Sequence, residues 1–586
     1  MTYNLEKMAI QKRKVIVVGG GLAGLFATIK LGEKGIPVDL FSIVPCKRSH
    51  SVCAQGGINA SVNTKGEGDS PRIHFEESIH GGDYLANQSP VMGMCERAPS
   101  YIYLLDRMGV AFNRTPEGDL EFRRFGGTKF HRTAFAGSTT GQQMLYALDE
   151  QVRRLETEGL VKRYEGWEFL SAVIDDSQTA RGMVALNLTN FEIRPFRADA
   201  VLIATGGPGM IFGQSTNSMI STGSAAGSLF RQGVWYANGE FIQVHPTAIP
   251  GEDKNRLISE AVRGEGGRLW TYQEGKRWYF LEEWYPKYGN LVPRDIASRA
   301  IFKVCREMKL GIDGKDEVYL DLSHVDPKLL KERLAGILEI YEKFVGDDPS
   351  KVPMRVFPSV HYSMGGIYVD RRHMTNVPGV LAAGECDYQY HGANRLGANS
   401  LLSCLYGGEV AAERIGEYFG ALSGGAEGVS SRSFTQQWKL EEERLEAVLR
   451  SHGRENPYAL WEEMGHWMTD HVSVIRRNDN LQKTDEKLVE LKERLTHIGV
   501  SDTGRWANQA VVFALQLQNM MELARVITLG ALRRNESRGA HYKPDFPERD
   551  DANWLKTTLA KWTPDGPEFS EEAVDTALLQ PKERKY

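Results

Sequence analysis

The chain contains two kinds of apolar pattern, which predict two kinds of element. Short apolar runs rich in β-branched residues occur at 14–18, 38–42, 198–205 and 377–383, and each predicts a buried strand. After a linker of small residues at 421–428, apolar positions recur at helical spacing, most clearly at 438–449 and 508–527. These patterns predict an α/β domain followed by a helical bundle.

A glycine motif follows the first predicted strand. Residues 14–18 lead into Gly19-Gly20-Gly21-Leu22-Ala23-Gly24 and then into a helical pattern through Leu31. Strand, G-x-G-x-x-G and helix in this order predict a dinucleotide-binding turn, in which Gly19 forms the turn, Gly21 lets the pyrophosphate approach and Gly24 lets helix and strand pack. The second strand ends at Ser42, where an NAD site usually carries an acidic residue, so a flavin dinucleotide is favoured.

A polar stretch lies shortly after the second strand. Arg48-Ser49-His50-Ser51-Val52-Cys53-Ala54-Gln55-Gly56-Gly57 places a cation, an imidazole and small polar residues before a glycine pair. These groups suit an anionic, planar cofactor held against backbone N–H groups. We expect this stretch to form the cofactor loop.

The two late strands predict a discontinuous domain. Both end in glycine turns and would return to the nucleotide site begun at residue 19, which predicts a Rossmann-like α/β FAD-binding domain at 1–238 and 359–420. The segment 239–358, rich in tryptophan and charge, reads as an inserted α+β capping domain. The C-terminal helical bundle domain is predicted at 421–540, and the proline-rich tail at 541–586 is predicted to be irregular.

Composition narrows the class of protein. A chain of 586 residues is expected to form several domains. Its net charge of -5 does not indicate that it binds nucleic acid. The six cysteines contain no C-x-x-C pair, which argues against a disulfide framework, a zinc site or an iron–sulfur cluster in this chain, and no metal-binding residues are predicted. Residues 1–7 lack the pattern of a signal peptide, and polar residues interrupt 508–527, so neither a leader nor a membrane span is predicted.

Several charged and imidazole side chains lie beside glycine or proline turns. They are His245, Glu260, Arg263, Arg294, His361 and Arg395. Bidentate guanidinium groups together with imidazole donors are what a small dicarboxylate requires, since each carboxylate accepts two or more charge-assisted hydrogen bonds. Each residue alone could be an ordinary surface or core residue, but the set predicts a dicarboxylate site.

Taken together, the motifs resemble the flavoprotein subunit of succinate dehydrogenase and fumarate reductase, the complex II family. The resemblance runs from residue 14 to about 555 and includes Gly19–Gly24, Arg48–Gly57, 245–247, 263–267, 361–366, 394–401, 535–541 and 546–551. It implies FAD joined covalently through an 8α-histidyl bond to His50. It also implies oxidation of succinate to fumarate by hydride transfer to that flavin.

The resemblance also implies residue roles. Arg294 would be the acid/base, served by Glu260 and Arg263, and the dicarboxylate would be held by His245, Ser259, His361 and Arg395. The cofactor would be bound by Gly19, Gly20, Gly21, Gly24, Ser42, Arg48, His50, Ser51, Gln55, Gly56, Gly57, Glu385, Ser400 and Leu401. Ser224 occupies a position where relatives often have Asp, so a contact there is left open.

The implied partners are an iron–sulfur subunit and membrane-anchor cytochrome b subunits that bind quinone, which would hold this chain at the cytoplasmic face of the cell membrane. Three alternatives remain. A fumarate reductase would use the same residues in reverse, although Gln55 favours succinate oxidation. A soluble L-aspartate oxidase-like enzyme would lack the flavin-linking histidine, and an electron-transfer or assembly module would lack the arginine set. An NAD-linked disulfide reductase is excluded because the C-x₄-C pair and a second G-x-G-x-x-G are absent.

Overall fold

The strands predicted for the nucleotide domain form one parallel sheet in the computed structural model, which describes residues 13–252 and 254–584. The strand order across the sheet is Val380–Ala382, Ala200–Ile203, Val15–Val18, Val38–Ser42 and Val161–Glu165. Val15 pairs with Ala200 on one side and with Val38 on the other, and the strand Val380–Ala382 pairs with Ala200–Ile203, so both late strands join the sheet of the first. The N-terminal stretch on which the absence of a leader was predicted lies outside the described residues.

Both faces of this sheet are covered, as continuous apolar strands require: most of the domain's helices pack on one face, and the antiparallel sheet that begins at Trp167 and the helix Ser224–Arg231 pack on the other. The helices are Leu22–Glu33, Pro71–Gly81, Gln88–Arg107, Thr140–Thr157, Ser224–Arg231 and Asn399–Ala421. Two small antiparallel sheets complete the domain, with strands Ile58–Asn59, Thr133–Ala134 and Phe122–Arg123 in one, and Trp167–Ile174, Ala180–Asn187 and Ile193–Arg197 in the other.

The inserted segment forms an antiparallel sheet with helices, as predicted. Its strands lie in the order Arg256–Leu257, Ile242–Ile249, Met354–Ser363, Val318–Asp321, Arg268–Gln273 and Lys276–Trp278. Its helices are Ala261–Gly264, Phe280–Trp284, Arg294–Phe302, Pro327–Arg333 and Ala335–Val345. The strand that closes the insertion runs to Ser363, past the predicted boundary at 358, because Ser363 pairs with Ile242.

The C-terminal part is a helical bundle with helices Ser431–Leu449, Pro457–Met468, Asn478–Arg494, Gln509–Arg533 and the short Asp551–Trp554. Among the described residues, Gln509–Arg533 is the one helix whose length and composition would allow it to cross a membrane. However, 83% of its apolar window is buried inside the protein. This is the behaviour of a core helix, and it agrees with the bundle helix predicted there.

The prediction of an irregular tail was wrong. Lys556–Lys561 and Glu568–Ala573 form a hairpin that joins Tyr236–Ala237 and Gly366–Ile367 in a four-stranded sheet. The prolines lie outside these strands, so they do not prevent pairing, and the hairpin forms because an exposed strand edge of the nucleotide domain is available to it.

Candidate active site

One cavity of about 620 Å³ is lined by residues of both the nucleotide domain and the inserted domain. It brings together nearly all of the predicted cofactor and substrate residues, which come from distant parts of the chain. The predicted residues that line it are Gly19, Gly20, Gly21, Ser42, His50, Ser51, Gln55, Gly56, Gly57, His245, Ser259, Glu260, Arg294, His361, Glu385, Arg395, Ser400 and Leu401. Ser224 lines it as well.

The glycine motif forms the floor of this cavity. A side chain at Gly19 or Gly24 would collide with neighbouring backbone atoms, so only glycine fits there. Gly19 has a φ of +122°, and a Cβ there would lie 2.1 Å from the carbonyl oxygen of Ala204. A Cβ on Gly24 would lie 1.9 Å from the carbonyl oxygen of Gly19. Gly24 does not line the cavity, and its role is the close helix-to-strand approach predicted for it. The helix that begins at Leu22 therefore points its N-terminal N–H groups at the cavity, where a pyrophosphate would be stabilised.

The predicted cofactor loop consists of two short turns, Cys46–Arg48 and His50–Cys53. His50 lines the cavity, and its Nδ1 accepts a hydrogen bond of 3.2 Å from the backbone N–H of Ser218. Burial, with a smaller effect of Lys254, lowers the pKa of His50 to about 4. The ring is therefore neutral at physiological pH and keeps a lone pair.

Arg48 is the exception in this loop. Its side chain is exposed and does not line the cavity, so the structure does not bring Arg48 together with the other predicted cofactor residues. The physical reason is that a three-residue turn buries one face, and here that face belongs to Cys46, which is fully buried against Gly20.

Two histidines lie side by side at the end of the cavity formed by the inserted domain. The rings of His245 and His361 have centroids 5.1 Å apart. Burial is the main reason that the pKa of each lies well below the ordinary histidine value, and nearby arginines lower it further. Nδ1 of His245 lies 3.1 Å from the carbonyl oxygen of Thr247 and 3.2 Å from its backbone nitrogen, and Nε2 is buried and has no partner among the described residues. His245 thus presents an unpartnered ring nitrogen.

Three buried charged residues form a chain beside these histidines. Arg294 Nε donates to Glu260 Oε2 at 2.8 Å, and Arg263 Nη2 donates to Glu260 Oε1 at 2.9 Å. Arg263 lies behind Glu260, does not line the cavity, and also donates to the carbonyl oxygens of Asn290 and Val292. Burial lowers the pKa of Arg263. These three side chains form a hydrogen-bonded series that begins at the cavity with Arg294 and ends in the interior of the inserted domain with Arg263.

Arg395 completes the cationic side of the site. Its guanidinium lies 4.3 Å above the ring of Tyr362, and its Nε is buried without a partner among the described residues. Burial, followed by the charge of Arg294, lowers the pKa of Arg395 to about 9. A buried guanidinium with unused donor capacity is arranged for an anionic ligand.

Several residues of the site were not predicted from the sequence. Gln243 accepts from Arg294 Nη1 at 3.1 Å and donates to the backbone oxygen of Arg395 at 2.8 Å, so it joins the two arginines. Its place two residues before His245, on the same face of one strand, was the available signal. Thr216 lies 2.7 Å from His361 Nδ1, and Arg123 donates to the carbonyl oxygens of Gln55 and Gly56.

Comparison with known proteins decides the family. A model described as an FAD binding domain matches residues 14–401, and one described as the fumarate reductase flavoprotein C-terminus matches 461–586. The succinate dehydrogenase flavoprotein subunit of Bacillus subtilis is 64% identical over 579 residues, covering 98% of this chain and 99% of the relative.

The chain belongs to the family of flavoprotein subunits of succinate dehydrogenase and fumarate reductase. The fumarate reductase flavoprotein subunit of Escherichia coli is a more distant member, 36% identical over 588 residues and covering 97% of this chain and 95% of the relative. The solved structure of a mutant E. coli quinol fumarate reductase superposes with a TM-score of 0.91 at 34% identity, covering 97% of this chain and 98% of that one. These findings confirm the predicted family and fold class, and they confirm the prediction of an FAD-dependent oxidoreductase subunit of the succinate dehydrogenase type.

The cavity fits FAD. Besides the glycine floor, it contains buried polar atoms that have no partner among the described residues, namely Ser49 Oγ, Gln55 Oε1 and Thr205 Oγ1. Orphaned donors and acceptors on a cavity wall are expected where a polar ligand completes them. Glu385, whose pKa burial raises to about 7, accepts the N–H of Ser363 at 3.1 Å on the same wall.

Proposed function

We propose that this chain oxidises succinate to fumarate as the flavoprotein subunit of a succinate dehydrogenase. The observation that carries the proposal is the convergence of two neutral histidines and two arginines on one end of the FAD cavity. His245, His361, Arg294 and Arg395 all line it. A small dicarboxylate supplies two groups that need such donors, and the residues belong to a family whose 64% identical member is named a succinate dehydrogenase subunit.

The substrate carboxylates would be held by the free donors of this end. Arg395 provides the charge for one carboxylate, and the unpartnered Nε2 of His245, when it carries the ring proton, would donate to the same anion or its partner. Thr216 Oγ1, which donates to the carbonyl oxygen of Val360, lies 2.7 Å from Nδ1 of His361 and holds that ring in position. The hydroxyl of Ser259, on the same wall, adds a further donor. Neutral imidazoles keep the site from accumulating more positive charge than two carboxylates require.

FAD, when bound, supplies the hydride acceptor. Arg294 would give its Nε proton to Glu260 and take one from the adjacent methylene carbon of succinate, so that one hydride and one proton leave the substrate and the double bond forms. Glu260, which touches Arg294 and Arg263 through different oxygens, would pass that proton on. Orientation by the two clamped carboxylates supplies much of the rate acceleration.

We further propose that His50 carries the covalent bond to FAD. The supporting observations are its position in the cavity wall and its low pKa, since a neutral ring retains the lone pair that a bond to the flavin requires. Covalent attachment would keep the flavin in place and raise its potential toward that needed to accept a hydride from succinate.

Electrons would leave through a partner iron–sulfur subunit and reach quinone at membrane-anchor cytochrome b subunits. The supporting observations are that the six cysteines lie apart and unbonded, and that one solved relative, the Mycobacterium smegmatis Sdh1, is described in complex with UQ1. That structure superposes with a TM-score of 0.84 at 31% identity over 97% of this chain. These partners would hold the chain at the cytoplasmic face of the cell membrane.

The test is anaerobic addition of succinate to the purified full chain with its FAD, read as bleaching of the flavin absorbance. We expect bleaching with succinate and a spectral shift without bleaching for malonate, which cannot be oxidised. An L-aspartate-dependent bleaching with no response to succinate would instead indicate an aspartate oxidase-like enzyme. No response to any of the three would contradict the substrate assignment and favour an electron-transfer module.

A further inference from the structure

A buried carboxylate with no assigned role lines the FAD cavity. Glu168 belongs to the strand Trp167–Ile174, is 7% exposed and lines the cavity together with its neighbours Trp167 and Phe169. None of the ion pairs among the described residues includes Glu168. A buried carboxylate without a cationic partner is costly, so its hydrogen-bond partners need to be accounted for.

The position of Glu168 is tied to the end of the second strand of the parallel sheet. The backbone N–H of Gly166 donates to the carbonyl oxygen of Ser42 at 2.8 Å, which brings the start of the Trp167–Ile174 strand beside Ser42. In dinucleotide-binding folds this strand end lies at the adenosine, and an acidic residue there accepts hydrogen bonds from it. Ser42 occupies that position here and has no carboxylate.

Donors from the protein occupy only part of the hydrogen-bonding capacity of the Glu168 carboxylate. Gln516 Nε2, from the long bundle helix, donates to its two oxygens at 3.0 and 2.8 Å. Asn519 donates to Ser224 Oγ at 3.1 Å, which leaves the hydroxyl proton of Ser224 directed at Glu168. Two carboxylate oxygens have about four acceptor sites, so acceptor capacity remains on the cavity side. Burial raises the pKa of Glu168 to about 7.

From this geometry we infer that Glu168 accepts a hydrogen bond from an N–H or O–H donor of the adenosine moiety of FAD, and so replaces the acidic residue that the second strand lacks. Gln516 and Ser224 hold the carboxylate in place for this contact. The inference rests on FAD binding by this family and is independent of the substrate proposed above.

Binding of FAD and FMN tests the inference, because FMN has the flavin and a phosphate but no adenosine. The full chain carrying His50→Ser would be stripped of flavin and titrated with each flavin by fluorescence, with and without Glu168→Gln. Gln keeps the size of the side chain and can still accept from Gln516, so the fold is retained. We expect Glu168→Gln to raise the Kd for FAD about tenfold or more and to leave the Kd for FMN unchanged.

The matched control is Glu192→Gln, which removes the same charge at an exposed hairpin turn and should leave both constants unchanged. An unchanged Kd for FAD in Glu168→Gln would overturn the inference. Equal weakening of FAD and FMN would also overturn it, since it would indicate a purely structural role for Glu168. Substrate is absent from the titration, so failure here is distinguishable from failure of the proposed reaction.

Discussion

Arg294 donates from Nε to Oε2 of Glu260 across 2.8 Å, and both side chains are almost completely buried. The arginine that lines the substrate end of the cavity is therefore paired with a carboxylate that leads away from it. Substrate binding and proton transfer can therefore be tested separately, since Arg395 and the two histidines would hold the substrate and Glu260 would receive its proton.

We expect Glu260→Gln to lower succinate turnover by about a hundredfold or more, because the amide keeps a hydrogen bond to Arg294 but cannot accept a proton. The Kd for malonate should change little, since Arg395 and the two histidines remain. Turnover in the assembled complex and malonate difference spectra measure the two quantities. Arg355→Lys, at an exposed pair in the same domain, is the control and should leave both unchanged. Normal turnover of Glu260→Gln would contradict a proton path through this residue.

The unpartnered Nε2 of His245 predicts a binding defect. His245→Asn should raise the Kd for malonate about tenfold or more, because the shorter side chain no longer reaches the carboxylate that the imidazole would contact. Spectral titration of the FAD-loaded chain measures it, and His466→Asn on an exposed helix face is the control. If the two variants bind malonate equally well, His245 does not contact the dicarboxylate.

Covalent attachment at His50 predicts flavin fluorescence on a denaturing gel. The wild-type band should fluoresce under ultraviolet light, and the band of His50→Ser should be dark, because denaturation releases a flavin that is held only by noncovalent contacts. A dark wild-type band from the assembled complex would exclude the bond, whereas a fluorescent His50→Ser band would assign it to another residue.

A further prediction concerns the tail motif at 535–541. Glu536 is fully buried and bonds both Arg534 and Arg538 at 2.8 Å, so the motif builds a salt-bridge network rather than a binding site. Glu536→Gln should reduce stability by about 3 kcal/mol, because Arg534 and Arg538 each lose a buried carboxylate and keep only Glu240 and Asp551, respectively. Chemical denaturation measures the change. Glu571→Gln, in a partly exposed pair with Arg533, should cost less than about 1 kcal/mol. Similar losses in the two variants would contradict the network's role.

Acid stability should depend on His74, a fully buried histidine outside the cavity lining. Its pKa is lowered to about 3, mainly by burial and further by Arg132. Since the unfolded ring titrates near 6.5, the unfolded state binds more protons between these values, and stability should fall as pH falls from 6.5 toward 3. In His74→Gln this contribution is absent, so the wild-type chain should lose midpoint temperature relative to the variant over that range. A constant difference between them would show that His74 does not titrate on unfolding.

Local patterns were sufficient for much of the fold. The strand, G-x-G-x-x-G and helix order predicted the turn at Gly19 and the helix from Leu22, because backbone φ angles and helical periodicity are properties of neighbouring residues. The helices at 431–449 and 509–533 were predicted for the same reason, although both are longer than the pattern indicated. The tail hairpin was missed because its strand partner at 236–237 is more than three hundred residues away.

The amino-acid sequence thus determined the elements, the nucleotide turn and the kinds of side chain available for a dicarboxylate. Folding in three dimensions determined which of them meet. Register between Ile242–Ile249 and Met354–Ser363 brings His245 beside His361, and Gln243 joins Arg294 to the Arg395 segment. The burial of Cys46 leaves Arg48 outside, and the link between Gly166 and Ser42 brings Glu168 to the adenosine end. Such placements depend on long-range packing and strand register, which neighbouring residues in the sequence do not specify.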